Sequence, residues 1–269
     1  MGNSSSQIQP EYNATIYISN SNDKYHGIFT LSNVSKIDNE NKHKFILGII
    51  DVQNDFFISG SLPIKNSEEI IAPINKLRFV CDDYMETFLS QDYHNKNHMS
   101  FASTHNATEY EKKILELEMP DKSVINVTQD MWPNHCVEGT KGVNLHSDLI
   151  ITSNDKFFKK GTITNVESYS AFGDEFNAKY ENTGLNKWLT NKNITDIILV
   201  GVATDFCVYN TALDSIQLGY KVHLILSCVR GVKEDTTKSA LDDLKSKGTI
   251  LYDSVDEFIE KNKKLFLLK

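Results

Sequence analysis

The sequence lacks the features that would place this protein in a membrane, on a secretory route or on a nucleic acid. None of its apolar runs reaches the roughly 20 residues that span a bilayer. Its first ten residues, MGNSSSQIQP, have no apolar core and do not predict a secretory signal. The net charge of -8 has the wrong sign for a chain that holds phosphates with clustered lysine and arginine. We therefore expect no nucleic-acid partner, whereas a small neutral ligand is compatible with this charge.

Cysteine is also scarce. The sequence has four cysteines, far apart and without a CxxC pair: Cys81, Cys136, Cys207 and Cys228. Such sparse use is typical of a reduced intracellular protein rather than of a disulfide framework. We expect a cytoplasmic location, and the same features are compatible with the nucleus.

Residues 1–44 differ in composition from the rest of the chain. They are rich in Asn, Ser and Lys, and alternation over Tyr25–Val34 predicts a strand or hairpin. Gly2 and Ser6 match the N-myristoylation pattern, with an unmodified polar tail as the alternative. A single acyl chain would give only weak membrane association. We expect an N-terminal extension, flexible or folded as a small hairpin, and one domain over residues 45–269.

From Phe45 onward, apolar segments of strand length alternate with segments of helical periodicity. FILGIID (45–51) predicts a central parallel strand, because it is continuously apolar and ends in an acid. Further strands are predicted at Met85–Leu89, Asp155–Phe158, Asp196–Ala203, Lys221–Ser227 and Thr249–Tyr252. Helices are predicted at Asn66–Cys81 with Ser67 as cap, Asp174–Leu189, Asp205–Gly219, Glu234–Lys247 and the carboxyl end, and Ser100–Gly142 is predicted to be irregular.

This alternation predicts an α/β fold with three αβα layers. Its mainly parallel six-stranded sheet carries helices on both faces. In such folds ligands bind at the carboxyl ends of the strands. The polar motifs of this sequence follow predicted strands, and we therefore expect them to converge.

Three of these polar residues suit nucleophilic catalysis. Cys207 follows the strand over Asp196–Ala203 and opens a helix, whose N–H groups and dipole favour a thiolate. Asp51 closes an apolar strand, and Lys160 follows another. Together they offer a thiol, a proton acceptor and an amine. Taken singly, each has a plainer interpretation: a buried core cysteine, a loop-capping aspartate and a solvated surface lysine.

Two short segments suit a metal ion. DYHNKNH carries Asp92, His94 and His98, and WPNHC carries His135. A carboxylate with two imidazoles is a normal ligand set for zinc or another divalent first-row metal. The alternative is a set of polar surface residues in loops. The spacing leaves open whether His98 is a further ligand or a partner behind the ligands.

Seven segments together resemble the nicotinamidases of the isochorismatase-like cysteine hydrolase superfamily. In order, they are IIDVQNDFF (49–57), GSL (60–62), SQDYHNKNHMSFA (90–102), WPNHCVEGTKG (132–142), KKGT (159–162), ESYSAF (167–172) and VGVATDFCVYNTA (200–212). The resemblance covers the chain from about residue 45 to the carboxyl end. It implies hydrolysis of nicotinamide to nicotinate and ammonia through a cysteine thioester, feeding NAD salvage.

The resemblance also implies catalytic roles for particular residues. Asp51, Lys160 and Cys207 match the family's catalytic triad. The bond between Val202 and Ala203 matches the family's cis peptide. The N–H groups of Ala203 and Cys207 match its oxyanion hole.

Ligand-binding residues follow from the same resemblance. The implied metal ligands are Asp92, His94 and His135, and some members of the family also use a histidine at the place of His98. The residues that match the lining of the pyridine pocket are Phe56, Trp132 and Tyr169, with core packing as their plainer interpretation. The sequence does not decide whether the metal orients nicotinamide through its pyridine nitrogen or through a bound water.

The implied cofactor is one divalent ion, with Zn2+ favoured over Fe2+ or Mn2+. We expect a homo-oligomer that also accepts pyrazinamide. Two other functions compete with this reading. One is another amidohydrolase of the superfamily, acting on a carbamoyl or ureido compound, and the other is a catalytically silent metal-binding or pyridine-binding protein. The presence of both metal segments argues against the first, and the complete triad argues against the second.

Overall fold

The computed structural model describes residues 14–17, 28–31, 43–119, 121–173 and 183–266. The chain divides into two units, and the second spans His43–Phe266. In the first unit, β1 (Ala14–Tyr17) and β2 (Ile28–Leu31) form an antiparallel pair. β2 lies inside the stretch predicted as a strand or hairpin, whereas no pattern predicts β1. Gly2 and Ser6 lie outside the described residues.

The second unit is built on a parallel sheet. Its strands and one separate hairpin are β3 (Phe45–Ile50), β4 (Thr87–Asp92), β5 (Lys112–Glu118), β6 (Val124–Asp130), β7 (Lys156–Lys160), β8 (Asp196–Val202), β9 (Lys221–Arg230) and β10 (Ile250–Tyr252). The sheet order is β10-β9-β8-β3-β4-β7, and each neighbouring pair is parallel. The predicted parallel six-stranded sheet with a central first strand is confirmed.

Helices cover both faces of this sheet. They are α1 (Ile71–Cys81), α2 (Leu185–Asn191), α3 (Tyr209–Gln217), α4 (Glu234–Ser246) and α5 (Val255–Lys261). Side chains alternate along β3, so Leu47 and Ile49 enter a core with α1 and α5, whereas Ile46 and Ile50 enter a second core with α2, α3 and α4. Full burial of each such side chain contributes about 1.5–3 kcal/mol. The apolar run of β3 is therefore explained by cores on both sides.

The prediction of irregular structure over Ser100–Gly142 is wrong in part. β5 and β6 form an antiparallel hairpin there, with Leu115 opposite Val127. On these two strands only Leu117 and Gln129 are buried. The hairpin lies outside the main sheet, and its polar, half-exposed strands lack the apolar run that reveals a buried strand.

Several predicted element ends also shift. The strand predicted at Met85–Leu89 begins at Thr87 and continues to Asp92, because the polar side chains at its carboxyl end are buried in the site described below. Ser67 is not a cap, since it lies within a 3-10 helix that precedes α1 and Asn66 holds the cap position. Of the helix predicted from residue 174, the described part begins at Leu185, and residues 174–182 lie outside the described residues.

The helices of the described part are all too short or too polar to cross a bilayer.

Candidate active site

The polar residues singled out in the sequence lie at the carboxyl edge of the sheet. Asp51 follows β3, Asp92 ends β4, and Lys160 ends β7, where it is paired in register with Asp92. Cys207 lies in a π-helical turn, Thr204–Val208, that follows β8 and leads into α3. These strands are neighbours in the sheet, so residues far apart in sequence meet at one edge.

The thiol, amine and carboxylate of the predicted triad meet there. Lys160 Nζ lies 2.9 Å from Asp51 Oδ2 and 3.3 Å from Cys207 Sγ. A carboxylate oxygen of Asp51 lies within 4.8 Å of that sulfur. Asp51 is 0% exposed, Lys160 2% and Cys207 6%. The group is thus shielded from bulk water, which strengthens every electrostatic interaction within it.

Burial and mutual charge set the protonation of these groups. Burial raises the pKa of Asp51, and the Lys160 ammonium acts against that rise. Burial disfavours charge on Lys160, yet Asp51 and Asp92 hold its pKa well above the usual range. Burial raises the pKa of the Cys207 thiol well above its ordinary value. In this charge arrangement Lys160 is an ammonium, Cys207 is a thiol, and Asp51 has an increased affinity for a proton.

Two residues that the sequence did not single out hold the acidic residues in place, one through a carboxylate and one through the backbone. The Ser90 hydroxyl donates to Asp51 Oδ1 over 2.7 Å, and both groups are buried. The Gln53 side chain accepts from the Asp92 N–H at 2.9 Å and donates to the Asp92 carbonyl at 2.8 Å. Asp51 itself has φ 49°, in the left-handed region that non-glycine residues rarely adopt. Ser90 and Gln53 both fall in segments that resemble the family, and this resemblance is the sequence signal that could have identified them.

The predicted metal ligands also converge. Asp92, His94 and His135 each offer one ligand atom, and these three atoms lie within 4.8 Å of one another. Both histidine Nε2 atoms lie 3.7 Å from Asp92 Oδ2. The other ring nitrogens face backbone carbonyls, those of Gly161 at 2.9 Å and Pro133 at 2.8 Å. These carbonyls accept from Nδ1–H, so both Nε2 atoms are left as lone-pair donors for a metal.

The chemistry of these residues fits a divalent metal ion. His94 Nε2 is buried and has no hydrogen-bond partner among the described residues, a costly state that a bound cation would relieve. Gly161 is required here because it has φ +63° and a Cβ at this position would lie 2.3 Å from His94 Cε1. Two imidazoles and one carboxylate match a catalytic site that keeps positions open for water or substrate.

His98 lies behind these ligands. Its ring is 4.1 Å from that of His94, between ring centroids. Its two nitrogens contact Ser100 Oγ at 2.8 Å and the Val166 carbonyl at 3.1 Å. Burial lowers the pKa of His98 to about 4, so the ring is neutral near pH 7. The geometry therefore favours a supporting role over a ligand role.

Glu167 is a further, half-buried carboxylate that the sequence did not single out. It groups with His94 and His98, with one possible ligand atom of each residue within 4.8 Å of the others. Burial opposes its charge, but His98 and His94 lower its pKa below the usual range. Its place in ESYSAF, one of the segments that resemble the family, was the only signal for it.

The predicted aromatic residues occupy two places beside the site. Phe56 packs against the His135 ring, with 5.6 Å between centroids. Trp132 Nε1 donates to the Tyr169 hydroxyl at 3.1 Å. Phe206 contacts both of these residues, with centroids 4.9 Å from Trp132 and 5.4 Å from Tyr169. Sequence reasoning missed Phe206, although it directly precedes the cysteine.

The turn that carries Cys207 is wider than an α-helical turn. The Val202–Ala203 peptide bond is cis, as the resemblance implies. The Ala203 carbonyl accepts the N–H groups of Phe206 and Val208, which lie on either side of Cys207, at 3.1 and 3.0 Å. Such π-type turns occur frequently at functional sites.

Comparison with known proteins finds a matching family. Residues 45–256 match the isochorismatase domain family. A nicotinamidase from Escherichia coli (strain K12) is 36% identical over 211 residues, which cover 77% of this chain and 94% of that protein.

Two solved structures resemble the fold. One is the yeast nicotinamidase bound to the inhibitor nicotinaldehyde, with a TM-score of 0.72, 30% identity, and coverage of 78% of this chain and 100% of that chain. The other is a pyrazinamidase of Pyrococcus horikoshii in complex with zinc, with a TM-score of 0.63, 27% identity, and coverage of 78% and 98%.

Proposed function

Because the chain belongs to the isochorismatase family, we propose that it is a metal-dependent nicotinamidase with Cys207 as its nucleophile. It hydrolyses nicotinamide to nicotinate and ammonia. One observation supports the assignment of residues above all others. Asp51, Lys160 and Cys207 meet at the sheet edge, and Lys160 also contacts Asp92 of the metal cluster.

The first half of the reaction forms a tetrahedral adduct of Cys207 and the amide. Asp51 accepts the Cys207 proton, which suits a carboxyl whose pKa is raised by burial. The Lys160 ammonium, 3.3 Å from the sulfur, stabilises the thiolate as it attacks the amide carbon. Negative charge then develops on the amide oxygen, and the N–H groups of Ala203 and Cys207 stabilise it. Each such donor is worth about 3 kcal/mol.

The second half returns the enzyme to its starting state. Asp51 gives its proton to the amide nitrogen, the C–N bond breaks, and ammonia leaves a nicotinoyl thioester on Cys207. A water molecule then attacks the thioester carbon while Asp51 takes its proton. The C–S bond breaks, the proton on Asp51 returns to the sulfur, and nicotinic acid leaves and loses its second proton to solvent as nicotinate. The proton transfers to and from sulfur, nitrogen and water thus pass through one carboxyl that Ser90 and Lys160 hold in place.

The pyridine ring binds among aromatic side chains. Phe56 beside His135, and the cluster of Trp132, Tyr169 and Phe206, offer apolar faces on which an aromatic ring packs. Pyrazinamide differs from nicotinamide by one ring nitrogen in place of a C–H, so the same walls accept it. The pyrazinamidase among the structural relatives supports this second substrate.

The metal is held by Asp92, His94 and His135, and we propose that it is zinc. The donor set and the zinc complex of a structural relative support this identity. A bound divalent ion supplies a Lewis acid that orients the ring nitrogen or a water beside it. Elemental analysis of the purified protein distinguishes zinc from iron and manganese.

The cellular setting is part of the proposal. We propose that the protein acts in the cytoplasm, that its nicotinate feeds NAD salvage, and that it forms a homo-oligomer. All four of its cysteines are free and buried, which supports a reducing compartment. Size-exclusion chromatography with light scattering tests the oligomer. Mass spectrometry of the N-terminal peptide tests acylation of Gly2.

An ammonia-release assay tests the activity itself. Nicotinamide and pyrazinamide are compared with a panel of carbamoyl and ureido compounds at equal concentration. Preference for the two aromatic amides supports the proposal. Preference for a ureido compound would assign the protein to another amidohydrolase of the family, and absence of turnover on every compound would indicate a binding protein.

A further inference from the structure

Asp205 lies within the cysteine motif but has no part in the chemistry described above. It is two residues before Cys207, in the same π-helical turn. Its carboxylate accepts hydrogen bonds from the backbone N–H groups of Val232 at 2.8 Å and Lys233 at 3.2 Å, and from the Thr236 hydroxyl. The turn is therefore tied to the segment that enters α4.

The Asp205 carboxylate lies at the amino end of α4, where it binds the two N–H groups that directly precede the helix. Lys233 holds the cap position of the helix and gives no side-chain cap hydrogen bond. Helix amino ends carry unpaired N–H groups and a positive dipole end, which favour a nearby negative charge. Asp205 adds a carboxylate from a different element to Glu234 and Asp235 of the first helical turn. One side chain thus joins the catalytic turn to a helix of the core.

Gly231, directly before the first of these backbone donors, has no room for a side chain. A Cβ at Gly231 would lie 1.8 Å from Thr237 Oγ1 and 2.9 Å from Asp205 Oδ1. The first distance is to α4 itself, and the second is to the cysteine turn. The Asp205 carboxylate therefore packs directly against the backbone of the segment that enters α4.

The turn itself has few internal side-chain restraints. The Thr204 hydroxyl is buried and has no hydrogen-bond partner among the described residues. The Asn210 side chain donates to the Phe206 carbonyl at 2.9 Å and fixes the later part of the turn. The earlier part of the turn is restrained by the Asp205 carboxylate, through its hydrogen bonds to the segment that enters α4.

We propose that Asp205 is a positioning residue for the nucleophile. By anchoring the π-helical turn to the amino end of α4, it holds the Cys207 sulfur beside Lys160 and the Cys207 N–H toward the oxyanion. It acts through Cys207 and touches no substrate. The inference rests on the proposed nicotinamidase activity, in which Cys207 attacks the amide.

Steady-state kinetics of two variants test this role. In Asp205→Asn one acceptor oxygen becomes an NH2 group that faces donors, so the tie is broken while the side-chain volume is kept. We expect kcat for nicotinamide to fall about 100-fold, as for a nucleophile misplaced by about 1 Å, with KM and metal content little changed. Thr236→Val removes one donor and should reduce kcat less. The double variant should lose less than the product of the two effects, because both changes cut the same tie.

Ser254→Ala provides a matched control. It removes a side-chain cap at α5, where Ser254 Oγ accepts from the Glu257 N–H at 3.2 Å. This variant loses helix-capping stability of a similar kind but lies outside the cysteine turn. Its kcat should equal that of the wild type. An Asp205→Asn variant with wild-type kcat and a lowered Tm like that of the control would show a purely structural role and overturn the proposal.

Alkylation of Cys207 gives a readout that does not depend on turnover. The rate of iodoacetamide labelling is followed on the Cys207 peptide by mass spectrometry. We expect it to fall in Asp205→Asn, because the thiolate loses its position beside Lys160, and to remain unchanged in Ser254→Ala. An unchanged or faster rate in Asp205→Asn would overturn the positioning role. A wild type that released no ammonia from nicotinamide would contradict the proposed function. The labelling rates would still decide whether Asp205 positions Cys207.

Discussion

Replacing Lys160 by methionine tests whether its buried ammonium holds the site together. Lys160 is 2% exposed, lies 2.9 Å from Asp51 Oδ2 and bonds Asp92. At 2.9 Å and an effective dielectric constant of about 20, one such pair carries a Coulomb attraction of about 6 kcal/mol before desolvation is subtracted. Removing one partner of a buried pair typically costs about 3–5 kcal/mol. Methionine has a similar length, so little of the expected loss comes from a cavity.

The expected change in melting temperature follows from this free energy. In a protein of this size, 1 kcal/mol shifts Tm by about 2–4 °C, so Lys160→Met should melt roughly 6–20 °C below the wild type near pH 7. Burial raises the pKa of Asp51, and Lys160 is the main group that opposes the rise. Without Lys160 the folded-state pKa rises further. A raised carboxyl pKa contributes stability at low pH that is lost as pH rises through the folded-state value. The difference in Tm between Lys160→Met and the wild type should therefore become smaller as pH falls.

Thermal melts between about pH 8 and about pH 5 measure both effects. The matched control is Lys159→Met, since Lys159 is the preceding residue on β7, is exposed, and places its ammonium over the Tyr93 ring. The control should melt close to the wild type at each pH. A Lys160→Met protein as stable as the control near pH 7 would refute the reasoning, and so would a deficit that grows toward low pH.

Three further changes separate the roles of the site residues. Cys207→Ala should abolish ammonia release while metal content stays unchanged, and wild-type turnover in this variant would remove the nucleophile assignment. His135→Ala should lose the metal in elemental analysis, because the alanine cannot replace Nε2; full retention would exclude His135 as a ligand. His98→Phe should retain the metal, because the nitrogens of His98 contact Ser100 and Val166 and a phenyl ring keeps the ring contact with His94. Metal loss equal to that of His135→Ala would instead make His98 a ligand.

The strands that could be predicted from the sequence are those that lie between two hydrophobic cores, one on each face of the sheet. β3 and β8 are buried along their whole length, so each appears as a continuous apolar run. The chemistry-bearing residues Asp51 and Cys207 follow these runs. Since carboxyl ends of parallel strands meet at one edge, their convergence was predictable before any distance was known.

The residues that the sequence did not predict are recognised only by their contacts in the folded protein. Ser90 has no distinguishing feature in the sequence, and its role is visible only in the structure, where it lies 2.7 Å from Asp51. Phe206 also has no distinguishing feature in the sequence, and its role is visible only from its packing against Trp132 and Tyr169. The hairpin of β5 and β6 buries only two side chains, so no continuous apolar run marks its strands. The contacts of Ser90 and Phe206 are long-range, and local patterns in a single sequence carry no information on them.

The triad and the metal cluster form a single electrostatic unit, although they come from separate segments. Lys160 contacts both Asp51 and Asp92, so one ammonium is shared by two buried carboxylates. With Cys207 as a thiol, one negative charge is in excess even before Glu167 is counted, and such burial is costly unless a cation compensates it. A divalent ion held beside Asp92 would add two positive charges, which offset this excess and Glu167 and favour a Cys207 thiolate without any contact between metal and sulfur. The metal ligands are therefore expected to affect the ionisation of the nucleophile as well as the binding of the ring.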